Sequence, residues 1–115
     1  MRAKFIAEYD FFPPTYLFPK DQKRLRQEWD GNTVLIVKPE ASCQGKGIYL
    51  TREIDEIAEE HCVVQYYIDK PFLMEKMKFD LRLYVLVTGI DPLRIYLSKE
   101  GLARLSTKFY DEVDD

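Results

Sequence analysis

The stretch Val34-Leu-Ile-Val-Lys-Pro-Glu-Ala-Ser-Cys-Gln-Gly-Lys-Gly-Ile-Tyr-Leu50 sets two lysines and two glycines after an apolar run, a combination suited to gripping phosphate. Gly45 and Gly47 allow backbone turns barred to other residues, so N–H groups can face phosphate oxygens, while Lys38 and Lys46 bring cationic charge. An ordinary β-hairpin with solvated lysines fits the same residues, since a lone Gly-x-Gly is a weak signal. A second candidate lies between Lys78 and Thr88, where Phe79, Leu81, Leu83, Val85 and Val87 alternate with Lys78, Asp80 and Arg82. On a strand, a period of two sets those three charged side chains in a row about 7 Å apart, a spacing that suits a nucleotide. The competing reading is a solvent-facing strand on which Asp80 pairs with its cationic neighbours.

The elements that must position these residues are legible around them. Val34 to Val37 reads as a buried strand ended by Lys38-Pro39, with a second short strand after the glycines. Phe5 to Pro19 mixes aromatics with Pro13, Pro14 and Pro19, an extended linker or edge segment. Asp21 opens a short helix through Trp29, with Leu25 and Trp29 on its inner face and Gly31 available to end it. Lys20, Lys23, Arg24 and Arg26 crowd the outside, either a contact for an acidic partner or a solvated face. Thr51 is placed to cap a second short helix whose stripe is Ile54, Ile57 and Ala58. Cys62 to Ile68 reads as a strand broken by Asp69-Lys-Pro71, and Lys78 to Thr88 as one long strand. After a turn at Gly89-Ile-Asp-Pro92, Leu93 to Ser98 returns antiparallel, and Leu102 to Thr107 makes a further strand bearing Arg104. The expected class is α+β, a mostly antiparallel sheet with short helices.

Two nucleotide-binding patterns are excluded. Lys46 is followed by Gly47 where a P-loop needs Ser or Thr, and no glycine stands five places before Gly45. The element after the glycines is a strand, where a dinucleotide fold needs a helix. At 115 residues with 46% hydrophobic content the chain can bury one modest core. A net charge of -3 argues against a general nucleic-acid binder. Cys43 and Cys62 lack metal-ligand spacing, and His61 adds little, so a reducing compartment is the simpler expectation. No run approaches the roughly 20 apolar residues of a membrane span, and the N-terminal apolar part is too short for a signal peptide. The acidic tail from Asp111 to Asp115 reads as solvated carboxylates, not as a metal site.

Five ordered segments carry a specific resemblance: Lys38-Pro-Glu-Ala-Ser-Cys-Gln-Gly-Lys-Gly-Ile48, Gln65-Tyr-Tyr-Ile-Asp-Lys-Pro71, Lys78-Phe-Asp-Leu-Arg-Leu-Tyr-Val-Leu-Val-Thr88, Asp91-Pro-Leu-Arg-Ile95 and Glu100-Gly-Leu-Ala-Arg104. From about Tyr9 to Tyr110 the chain resembles the tubulin tyrosine ligase-like family, most closely its polyglutamylases. The resemblance implies an ATP-grasp-like fold, of which this chain would supply the central part, truncated at both ends. It implies a ligase that uses ATP to activate a glutamate side chain of the tubulin tail as an acyl phosphate, which free glutamate then attacks. Lys38 would meet the ATP phosphates with Gln44, Gly45 and Lys46 in the loop over them. Gln65, Tyr66, Tyr67 and Ile68 would form the adenine edge, largely through backbone groups, and Lys78 and Asp80 would also line the nucleotide. Arg82 would serve the acyl-phosphate region and Arg104 the carboxylate of the incoming glutamate.

The family's magnesium ligands fall after the position of Tyr110, so Mg2+ is expected to be held outside these residues and the chain to be inactive alone. Tubulin or microtubules and free glutamate are the implied partners, in the cytoplasm and cytoskeleton, with the cilium or basal body as a further location. The other readings left open are a non-catalytic module for tubulin tails or nucleotide, and a glycylase of the same family.

Overall fold

The computed structural model describes residues 8–40 and 47–111. These fall in two compact units, Met1–Asp69 and Lys70–Asp115. Cys43, Gln44, Gly45, Lys46 and the acidic residues after Asp111 lie outside the described residues.

In the first unit, four strands form one antiparallel sheet: β1 (Thr15–Phe18), β2 (Leu35–Pro39), β3 (Tyr49–Thr51) and β4 (Cys62–Tyr66), in the spatial order β1-β4-β2-β3. The register pairs Tyr16 and Val37 with Val64, and Leu35 with Tyr66, so alternate residues of the three longest strands point to one side. Tyr16, Phe18, Leu35, Val37, Cys62 and Val64 are buried there, with Leu25 of helix α1 (Gln22–Glu28) and Ile54 closing the core. Leu25, Leu35, Val37 and Val64 are fully buried, each worth about 1.5–3 kcal/mol in apolar transfer. Thr15, Ile36, Lys38, Val63 and Gln65 face the other way and are only half-buried. The segment expected as linker or edge thus supplies an edge strand.

The first helix stands where expected, but Asp21 serves differently from a helix cap. Its carboxylate accepts a hydrogen bond from the Leu17 amide at 2.9 Å, and its own amide donates to the Leu17 carbonyl at 2.7 Å, tying β1 to the helix start. The second expected helix is corrected to a single 3-10 turn, Ile54–Glu56. Thr51 Oγ1 accepts from the Glu53 amide at 2.9 Å, and this local turn competes with helical continuation. Only Ile54 of the proposed stripe is buried, which leaves little packing to hold more turns.

The second unit consists of two separate antiparallel pairs. Strand β5 (Met77–Arg82) pairs with β8 (Leu102–Phe109), and β6 (Val85–Ile90) pairs with β7 (Leu93–Leu97). The long strand expected from Lys78 to Thr88 is therefore two strands interrupted at Leu83 and Tyr84. Alternating hydrophobicity continues across that break, which is why the period alone did not reveal it. None of this unit's apolar side chains is buried among the described residues: on β6 and β7, Val85 is 57%, Leu86 61%, Ile95 56% and Tyr96 57% exposed. No helix among the described residues is long and apolar enough to cross a membrane.

Candidate functional site

On the outer face of the first unit's sheet, a line of polar groups crosses three strands. Lys38 Nζ on β2 donates to Gln65 Oε1 on β4 at 3.2 Å, Gln65 Nε2 donates to Thr15 Oγ1 on β1 at 2.8 Å, and Thr15 Oγ1 donates to the Pro13 carbonyl at 2.9 Å. The cause is register. Thr15 and Ile36 both oppose Gln65, which sets Lys38 one step diagonally from it on the same face. The glutamine orients the lysine with one bond, and an ammonium carries three donors, so the cation retains capacity for an anion. Gly47 has a φ of 80°, a left-handed conformation that suits glycine at the return into β3.

The strand end expected to present backbone groups to adenine is partly committed to the sheet. The Tyr66 amide donates to Pro14 at 3.0 Å and the Tyr67 amide to Val34 at 2.8 Å. Among the described residues the Ile68 amide makes no such bond, and its side chain is exposed. Of the three amides at this edge, the Ile68 amide is thus the one not committed to the sheet.

The second unit carries its own charged face. Cross-strand register places Asp80 opposite Arg104 and Arg82 opposite Leu102, while Phe79 opposes Leu105 and Leu81 opposes Ala103 on the reverse side. One face of this ribbon is thus charged and the other apolar. Arg104 grips Asp80 with two bonds, Nε to Oδ1 at 2.7 Å and Nη2 to Oδ2 at 2.5 Å. The guanidinium hydrogen bond, reinforced by its charge, holds the Asp80 carboxyl below the usual carboxylate range and raises Arg104 in turn. A shallow hollow of about 410 Å³ lies over Lys78, Phe79, Asp80, Arg104, Leu105 and Ser106. Among the described residues no hydrogen bond ties down the Arg82 side chain. Three cations against one carboxylate leave this face net positive, suited to carboxylate or phosphate.

Two features were not singled out from sequence. The Lys38–Gln65–Thr15 line depends on strand order, which no local pattern encodes. A smaller hollow of about 300 Å³ lies among Leu17, Phe18, Pro19, Lys20, Glu40, His61, Cys62 and Val63. Burial pushes the Cys62 thiol up, so it stays protonated and a poor nucleophile, and the hollow gathers no reactive set. The basic helix face is partly neutralised, since Arg24 lies within 3.4 Å of both Asp21 and Glu28, and Arg26 within 2.5 Å of Asp55.

A family model described as the tubulin-tyrosine ligase family matches residues 1–115, and the chain belongs to that family. It is 49% identical over 99% of its length to a probable beta-tubulin polyglutamylase of Tetrahymena thermophila, of which it covers 10%. It is 45% identical over its whole length to the tubulin polyglutamylase TTLL6 of Homo sapiens, covering 14% of that protein. Against the tubulin polyglutamylase TTLL13 of Mus musculus it is 45% identical over 97% of its length, again covering 14%. The chain thus spans a small part of the relatives it matches.

Proposed function

We propose that these residues form nucleotide- and amino-acid-handling parts of an ATP-dependent ligase that adds glutamate to glutamate side chains of tubulin tails. The observation that carries this reading is the net-positive face of β5 and β8, where Arg104 is held by Asp80 beside Lys78 and Arg82. Membership of the tubulin-tyrosine ligase family supports an ATP-grasp-like parent fold and ATP as the energy source. The polyglutamylase names of the similar proteins support glutamate as the amino acid added.

In the first step, a carboxylate oxygen of the tubulin glutamate attacks the γ-phosphorus of ATP and ADP leaves. In the second, the amine nitrogen of free glutamate attacks the acyl carbon, phosphate leaves and an amide remains. Both steps concentrate negative charge, so fixed donors lower the barrier, by roughly 3 kcal/mol for each well-placed one. Lys38, with Gln44, Gly45 and Lys46, meets the phosphates; Gln65 orients Lys38, and the Tyr66–Ile68 edge takes adenine. Lys78 and Asp80 line the nucleotide, Arg82 stabilises the acyl phosphate, and Arg104 holds the incoming carboxylate. Among the described residues no group of three His, Cys, Asp or Glu side chains could hold a metal ion, so Mg2+ would be held by other residues of the ligase.

The test is Arg104→Ala in a complete polyglutamylase carrying this sequence. Glutamate transfer to tubulin should fall at least a hundredfold while ATP binding persists, as for loss of a preorganised donor. Unchanged transfer would overturn the assignment, and tail affinity that is indifferent to ATP would favour a binding module.

A further inference from the structure

Arginine carries five N–H donors on a planar fork, and the Asp80 carboxylate occupies only the edge formed by Nε and Nη2 of Arg104. Among the described residues no other hydrogen bond reaches this guanidinium, which leaves the Nη1 and Nη2 edge open. The two side chains are direct cross-strand partners, each a little over half exposed, at 55% for Arg104 and 56% for Asp80. An exposed arginine without such a partner samples many rotamers, whereas a two-bond contact from a fixed strand position restricts it. We propose that Asp80 is a positioning residue, clamping one edge of Arg104 so that the other edge meets the carboxylate of an incoming amino acid.

This inference rests on the reading of Arg104 as the carboxylate holder, and it gives Asp80 a task distinct from lining the nucleotide. The alternative is that Asp80 competes for Arg104 as a substitute for the substrate. Geometry favours positioning, because a guanidinium can take one carboxylate on each edge and Asp80 uses one edge. The neighbouring Lys78 and Arg82 keep the face positive despite the Asp80 charge.

The experiment is an NMR titration of the arginine-labelled 115-residue chain with L-glutamate, following the Arg104 side-chain signals. In the parent chain, glutamate should move the Nη resonances and leave the Nε resonance near its starting position. Asp80→Asn should weaken binding about tenfold, the effect expected when a charge-assisted contact that fixes the fork is lost. Asp80→Glu should recover part of that loss, and Arg104→Ala should abolish binding. Backbone amide shifts of β5 and β8 report whether each variant keeps its register. If Asp80→Asn binds glutamate as tightly as the parent while Arg104→Ala does not, positioning fails and the assignment of Arg104 stands. If Arg104→Ala binds normally, or the parent does not bind, both fall. Displacement of the Nε resonance by glutamate in the parent chain would overturn positioning without recourse to any variant.

Discussion

Asp30 shows how a single carboxylate can lock a turn next to the sheet. It accepts hydrogen bonds from the Thr33 hydroxyl at 2.6 Å and from the Thr33 and Asn32 amides at 2.8 and 2.9 Å. These bonds, led by the hydroxyl, hold its carboxyl down to about 2 from an ordinary 3.8. A depressed folded value means that the turn's contribution is complete above pH 3.8 and is lost as pH falls through about 2. The Trp29 indole N–H donates to the Thr33 carbonyl at 2.9 Å, so its NMR signal should report this transition near pH 2. A midpoint near 4 would show that the turn bonds do not persist in solution. At Arg104, replacement by Lys keeps the charge and removes the planar fork. Arg104→Lys should weaken L-glutamate binding about tenfold, as measured by titration calorimetry, and equal affinity would mean that charge alone is read.

Among the elements, the β5–β8 ribbon depends on a close approach at Gly101. A Cβ at that position would lie 2.6 Å from the Arg82 carbonyl oxygen and 3.3 Å from Leu83 Cδ2. The carbonyl is backbone and cannot swing aside, so Gly101→Ala must displace the end of β5 or the start of β8. The expected cost is about 1–3 kcal/mol, read as faster amide hydrogen exchange along β5 and β8 with β2 and β4 unchanged. In the first unit, helix α1 is docked by one fully buried side chain, Leu25. Leu25→Ala should destabilise this unit by about 2–5 kcal/mol in denaturant unfolding followed by Trp29 fluorescence. A loss below about 1 kcal/mol would mean that α1 packs only loosely on the sheet.

Over the whole molecule, apolar burial is unevenly shared. Among the described residues every buried core residue belongs to the first unit, whereas Leu81, Leu83, Val85, Leu86, Val87, Ile95 and Leu97 of the second are more than half exposed. Local stability follows buried contact, so amides of β2 and β4 should exchange far more slowly than those of β6 and β7. Equal protection across both units would mean that the second unit's apolar faces are covered in solution.

Elements with local causes were legible in the residues themselves. The apolar run from Val34 to Val37, the helix with Leu25 inward and the hairpin turning at Asp91-Pro92 each follow from residue type and period. The ordered motifs around Lys38, Gln65, Lys78, Asp91 and Glu100 sufficed to identify the family. Tertiary structure alone decided which strands became neighbours. Strand β8 pairs with β5 and not with its sequence neighbour β7, and that pairing brings Arg104 onto Asp80 across 24 residues of chain. Likewise β4 inserts between β1 and β2, joining Lys38 to Gln65 and Thr15. The break at Leu83 and Tyr84 escaped the sequence pattern because either continuation keeps the same alternation. The second helix shrank to one turn because the Thr51 hydroxyl offered the backbone a nearer partner and too little apolar surface was buried to oppose it.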